Sequence, residues 1–266
     1  MTATTPLLVA ASATDVGRVR DHNEDAALVE SALFVVADGM GGHHAGEVAS
    51  EIAVSTFAEL ATRGALQPQE LVDQVAEANR AILTSAARHP ERTGMATTLA
   101  GLALVSHGGV AHWTVVNIGD SRVYRMLDAE LTQVSVDHSE VAELVRRGVI
   151  TEAEAARHPA RNIVTRCLGR DPGEPADSWV FPARPGERFL LCTDGLTNEL
   201  DVAEIARVLA GATDPQAAAD ALVAGAVEHG GRDNVTVVVV FHDGPHPGSG
   251  DVDGDTTPRP AHGAAP

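Results

Sequence analysis

FVVADGMGGHHAGEVAS, residues 34–50, holds the plan of the chain in one stretch. The apolar run 33–37 reads as a strand and ends on Asp38. Glycines at 39, 41 and 42 then make a turn. Beyond them Ala49, Ile52, Ala53, Thr56, Phe57 and Leu60 fall on one stripe, which predicts a helix over 45–62. Taken alone, a strand, a glycine turn and a helix make an ordinary connection. The sequence around it makes this one different.

The same punctuation recurs three times. NIGDSR at 117–122 and LLCTDGL at 190–196 carry apolar runs into Asp120 and Asp194, and in RDNVTVVVV at 232–240 a run starts just after Asp233. Side by side, with suitable directions, these strands gather four carboxylates at one sheet edge. Like charges about 4 Å apart repel by roughly 4 kcal/mol at an effective dielectric of 20, so the arrangement calls for a cation. An all-oxygen donor set predicts a hard divalent ion, Mg2+ or Mn2+. Asp38, Asp194 and Asp233 supply the core of a two-metal site, and Gly39 lets its carbonyl approach an ion with no side chain in the way. Asp120 is expected as a third, weaker ligand, against the plainer reading of an Asx turn.

GRVRDHNED at 17–25 is a charged loop of the kind that usually faces solvent. Beside the acids, Arg20 would hold two phosphate oxygens with its planar guanidinium, while Glu24 and Asp25 anchor waters around the ions. His43, with His44 next to it, is the candidate proton donor to a departing alkoxide. No P-loop, dinucleotide fingerprint, serine-hydrolase elbow or zinc cluster is present.

Strands are also expected at 7–13, 26–30, 98–106, 111–118, 123–127, 178–181, 189–193 and 235–242, and helices at 69–87, 139–147, 151–157, 202–210 and 216–228. Gly148, Thr151 with Glu154, Asp201 and Asp214 supply stop and start signals. Strand groups alternating with helical pairs give an α+β class, stacked sheets covered by helices. Nineteen basic against thirty-seven acidic residues, net charge −18, argue against nucleic-acid and anionic-lipid partners. Aromatic residues make up 3% of the chain, so the core must be mostly Ala, Val and Leu. Two cysteines outside any C-x-x-C pair, no signal-peptide pattern and no long apolar run suggest a reduced, cytoplasmic protein without membrane insertion. One catalytic domain is expected over 6–243, followed by a Gly/Pro/Asp-rich disordered tail over 244–266.

RDHNED, VVADGMGGHHAGEVAS, GMATTLAGL, NIGDSRVYR, VDHS, HPARNIVTRCLG, LLCTDGL and GRDNVTVVVV, in that order over about 12–241, closely resemble the bacterial metal-dependent serine/threonine protein phosphatases, the protein phosphatase 2C (PPM) family. The resemblance implies a four-layer α-β-β-α sandwich of two mainly antiparallel sheets, with two Mn2+ or Mg2+ ions at one end. Asp38, Asp194 and Asp233 would hold one ion, Asp38 and the Gly39 carbonyl the other, and Asp120 a third, weaker one. Arg20 resembles the phosphate-binding arginine, and 136–168 a mobile flap that influences substrate choice. Glu24, Asp25, Asn162 and Asn234 fall in the shell around the ligands. Two departures stand out: Met40 occupies the place where many eukaryotic members carry the acid histidine, and Asn162 the place where some relatives use serine.

The implied reaction is hydrolysis of phosphoserine and phosphothreonine in proteins by a hydroxide that bridges the metals, with His43 protonating the leaving oxygen and no covalent phosphoenzyme. Partners would be phosphoproteins, among them a serine/threonine kinase and its targets, and the enzyme a monomer. Two rivals share the motifs: a phosphoprotein-binding pseudophosphatase, and a partner-switching phosphatase acting on an anti-sigma-antagonist.

Overall fold

The computed structural model describes residues 7–42 and 44–243. Two antiparallel sheets face each other. The first runs β1 (Leu7–Asp15), β11 (Val235–Asp243), β10 (Glu187–Cys192), β7 (Arg122–Leu127), β8 (Glu130–Gln133). The second runs β2 (Asp25–Glu30), β3 (Leu33–Met40), β5 (Leu99–His107), β6 (Val110–Ile118), β9 (Asp177–Pro182), and the short β4 (Ala96–Thr97) pairs with the end of β3. The helices α1 (Ala45–Ala61) and α2 (Pro68–Arg88) cover the second sheet; α6 (Val202–Gly211) and α7 (Pro215–His229) cover the first.

Period-2 alternation sorts the side chains into three apolar layers. Between the sheets, Phe34, Val36, Leu102, Trp113 and Val115 meet Val123, Phe189, Leu191, Val238 and Val240. Their neighbours Leu33, Val35 and Ala37 turn outward onto Ala49, Ala53, Phe57 and Leu60 of α1. On the opposite side Leu190, Val237 and Val239 turn outward onto Ile205, Leu209, Leu222 and Ala226. Burial on both faces explains why β11 reads as an unbroken VTVVVV run. Alanines at 49, 53, 218 and 226 fill the helix contacts, so few aromatic rings are needed.

Helix ends follow their sequence signals. Asp201 and Asp214 accept from the first-turn amides of α6 and α7, and Thr151 with Glu154 forms a reciprocal capping box on α4 (Glu152–Ala155). Gly148 follows α3 (Glu140–Arg146) with φ 68° and donates to the Val145 carbonyl. Asp128 and Ala129 have φ 51° and 65°, the two-residue turn that matches strand twist between β7 and β8. Among the described residues no helix is long and apolar enough to cross a membrane. The expected tail, 244–266, lies outside the described residues.

Candidate active site

The four acids do not share one sheet edge, as the strand pattern alone suggested. Asp38 belongs to β3 in the second sheet, Asp194 and Asp233 flank β10 and β11 in the first, and Asp120 lies in the turn where the chain crosses from β6 to β7. They converge at one end of the two-sheet stack. Nor does β3 stop at Asp38: it runs on to Met40, because Gly39 and Met40 pair with Thr97 and Ala96. That extension fixes Asp38 through its backbone. Its carbonyl accepts from Thr98 N and Thr97 Oγ1, both at 2.9 Å, and its N–H donates to Thr98 Oγ1 at 3.0 Å. The Thr98 hydroxyl also bonds Ser121 Oγ at 2.7 Å, beside Asp120.

Gly39 is a glycine for a packing reason. A Cβ there would lie 2.1 Å from the Gly46 carbonyl oxygen and 2.5 Å from that of Glu24. The start of α1, the Asp38 strand and the Arg20 loop thus meet at backbone distance. Asp194 opens the one-turn helix α5 (Asp194–Thr197), and Asn198 Nδ2 donates to its Oδ2 at 3.0 Å. Asp233 takes the main-chain N–H of Asn234 on one oxygen at 2.9 Å and Arg20 Nη2 on the other at 2.8 Å. Asp25 faces Asp38 in the β2–β3 register and accepts from Thr193 Oγ1 at 2.9 Å.

Electrostatics show how crowded this end is. Burial, then Asp25, Asp194, Asp120 and Asp233 in turn, push the Asp38 carboxyl well above the usual range. Burial raises Asp25 to about 7 against the pull of the Thr236 and Thr193 hydroxyls, with Asp194 and Asp233 adding to the rise. Asp120 also rises to about 7, through burial and then Asp194, and Asp194 rises through burial and then Asp233. Each charge disfavours the next. Among the described residues no group of three or more His, Cys, Asp or Glu side chains is drawn tight enough to hold a metal ion as it stands. The carboxylates therefore form a loose, mutually repelling group whose only salt-bridged cation among the described residues is Arg20. A divalent ion reverses that balance, and an all-oxygen donor set of this charge fits one.

The remaining expected residues divide. Glu24 and Asn234 lie at the site: Glu24 N donates to Asn234 Oδ1 at 2.9 Å, and the Glu24 carbonyl accepts from Gly39 N and Ser50 Oγ. Asn162 is exposed, beyond α4, and shares no hydrogen bond with the acids among the described residues. His43 lies outside the described residues. His44 precedes α1 with φ 63° and packs its ring 4.0 Å from that of His22, two residues past Arg20. Sequence reasoning missed Thr97, Thr98, Ser121, Thr193 and Asn198 as supports. Ser121, Thr193 and Asn198 carried one signal, a place next to or one helical turn from an acid; Thr97 and Thr98 carried none, since they lie 59 and 60 residues from Asp38.

A four-layer sandwich with crowded carboxylates at one end defines the metal-dependent class of phosphatases. This chain belongs to the protein phosphatase 2C family, whose model matches residues 18–224. It is 37% identical over 238 residues to the serine/threonine phosphatase stp of Listeria innocua, covering 85% of this chain and 93% of that protein. It is 38% identical over 243 residues to the serine/threonine protein phosphatase PstP of Mycobacterium tuberculosis, covering 90% of this chain and 46% of that one. The solved structure of the M. tuberculosis phosphatase PstP/Ppp superposes with a TM-score of 0.83 at 37% identity, covering 89% of this chain and 99% of that chain. The catalytic domain of PstP in complex with two manganese ions superposes with a TM-score of 0.82 at 35% identity, covering 90% of this chain and 100% of that chain. The protein is accordingly a protein-serine/threonine phosphatase, and its substrates are phosphoproteins.

Proposed function

We propose that the catalytic domain, 6–243, is a cytoplasmic monomer that reverses the action of a serine/threonine kinase, using two Mn2+ or Mg2+ ions. Asp38, Asp194, Asp233 and the Gly39 carbonyl would hold the pair, and Asp120 a third, weaker ion. The observation that carries this reading is geometric: Asp25, Asp38, Asp120, Asp194 and Asp233 come from two sheets to one end of the stack, where Arg20 is their one salt-bridged cation among the described residues. Cations held there would supply Lewis acidity and lower the pKa of a bound water.

The chain's own groups do the rest. Thr97, Thr98 and Asn198 fix Asp38 and Asp194 so that little reorganisation is needed when charge develops. Arg20, half-exposed and resting on Asp233, turns its remaining N–H groups toward two phosphoryl oxygens. A histidine at the mouth of α1, His43 with His44 beside it, gives its proton to the departing serine or threonine oxygen. The flap, 136–168, borders the site and biases which phosphoproteins enter. Asp38→Ala and Asp194→Ala should each abolish manganese-dependent phosphate release from a phosphothreonine peptide. Full activity in either would overturn the assignment.

A further inference from the structure

Asn234 is 7% exposed, and its side chain bonds entirely to one loop. Nδ2 donates to the carbonyls of Val16 and His22, each at 2.9 Å, and Oδ1 accepts from Glu24 N at 2.9 Å. Both amide hydrogens and the oxygen are used, and with two carbonyls on the Nδ2 side and the Glu24 N–H on the Oδ1 side only one orientation of the carboxamide fits. The anchored points at 16, 22 and 24 bracket Arg20. Arg18 N adds a bond to the Gly231 carbonyl, and the position a Cβ would take on Gly17 lies 2.4 Å from the Asp233 carbonyl, so the loop lies flat on the 231–234 turn. The main-chain N–H of Asn234 meanwhile orients Asp233, the residue that Arg20 rests on. Its carbonyl oxygen is 1.9 Å from where a Cβ on Gly195 would stand, next to Asp194.

We infer that Asn234 is the positioning residue for Arg20, its carboxamide stitching the 16–24 loop in place so that the guanidinium is presented to the substrate phosphate at a fixed height. This rests on the phosphate-binding role proposed for Arg20. The side chain touches no reacting atom. It lowers the conformational freedom that a half-exposed arginine on a nine-residue loop would otherwise lose on binding phosphate. Because the main-chain N–H survives substitution by Ala or Ser, Asp233 keeps its orientation when the carboxamide is removed. The effect should therefore fall on phosphate binding and not on the ions.

The test is a double-mutant cycle on the full chain with a small aryl phosphate, inorganic phosphate as competing ligand, and Mn2+ binding followed by calorimetry. Asn234→Ala should raise KM and weaken inhibition by phosphate by about tenfold each, with kcat and Mn2+ affinity within about threefold of wild type. Arg20→Ala should do at least as much, and the double variant should resemble Arg20→Ala alone, since the two residues act as one unit. Additive losses, or a fall in Mn2+ affinity with phosphate affinity intact, would overturn the inference. Unchanged phosphate affinity in Arg20→Ala would instead remove the arginine's own role, and the inference with it. Should Asn234→Ala not fold, Asn234→Ser, which keeps one donor, carries the same comparison, and additivity there is equally decisive.

Discussion

Strand β10 starts at Glu187 and leads, two residues past its end, into Asp194, so a single strand links two acid sites, one fully buried and one half-buried. At its start, Glu187 is fully buried and surrounded by donors. Trp113 Nε1 gives a bond of 2.6 Å, Arg184 N and Arg125 Nε bonds of 2.8 Å, and His242 Nδ1 stands 3.6 Å away. Burial alone would raise this carboxyl. The His242 ring beside it and the donors from Arg184, Trp113 and Arg125 outweigh it and hold the group below the usual glutamate range. At the other end burial and Asp233 push Asp194 up, with Asn198 the side chain donating to it. Burial is common to both ends. What sets the sign is whether the fold supplies enough positive partners, and at the Asp194 end it does not.

The sharpest way to break this contrast is Asp38→Asn. It should reduce manganese-dependent aryl phosphate turnover to background while raising, not lowering, the melting temperature of chelator-treated protein, because one of the repelling charges is gone. A drop in that temperature would contradict the crowding argument. Glu187→Gln should do the reverse: a loss of about 3 kcal/mol from leaving Arg125 without its carboxylate, a value at the low end because Arg125 is partly exposed. Turnover per folded molecule should stay within about twofold of wild type, read by calorimetry alongside the same assay. Mn2+ at about one hundred times its dissociation constant should stabilise wild type by about 2.7 kcal/mol, and this gain should shrink in Asp38→Asn.

The smallest effect is a difference in pH slope. Glu187 has its carboxyl lowered from 4.5, so its contribution is in place above that value and is lost as pH falls through the lowered one. Asp25 and Asp120 rise from 3.8 to about 7, so the folded state binds those protons more tightly and stability falls as pH climbs from about 4 to about 7. Melting temperatures of chelator-treated protein should decline over that upper window, and Mn2+ should flatten the decline. A level profile without metal would mean that the acids do not crowd one another.

Most of the fold was legible because nearly every element carries a local signal. The α1 stripe, the caps at Asp201 and Asp214, and the VTVVVV run owe their pattern to which face is buried. The short pieces escaped for the same reason. Ala96–Thr97 is two residues long, Glu130–Gln133 is a mostly exposed edge strand with one half-buried apolar side chain, and the turn at Asp194 has no periodicity to read. The acids themselves stood out, since an aspartate beside an apolar run is conspicuous. Their descent from two sheets did not, because strand order is set by long-range pairing that no local pattern encodes. The same holds for Asn234, whose three partners lie more than two hundred residues upstream.

Because Asp38 comes from one sheet and Asp194 and Asp233 from the other, the slab of Trp113, Phe189, Val238 and Leu191 between them acts as a spacer. If those three carboxylates hold the ions as proposed, the thickness of that slab should govern how far apart they stand, much as a shim sets the gap of a jaw. Enlarging or emptying a side chain buried well inside it should change which divalent ion the mouth grips best, though no atom at the mouth has been altered.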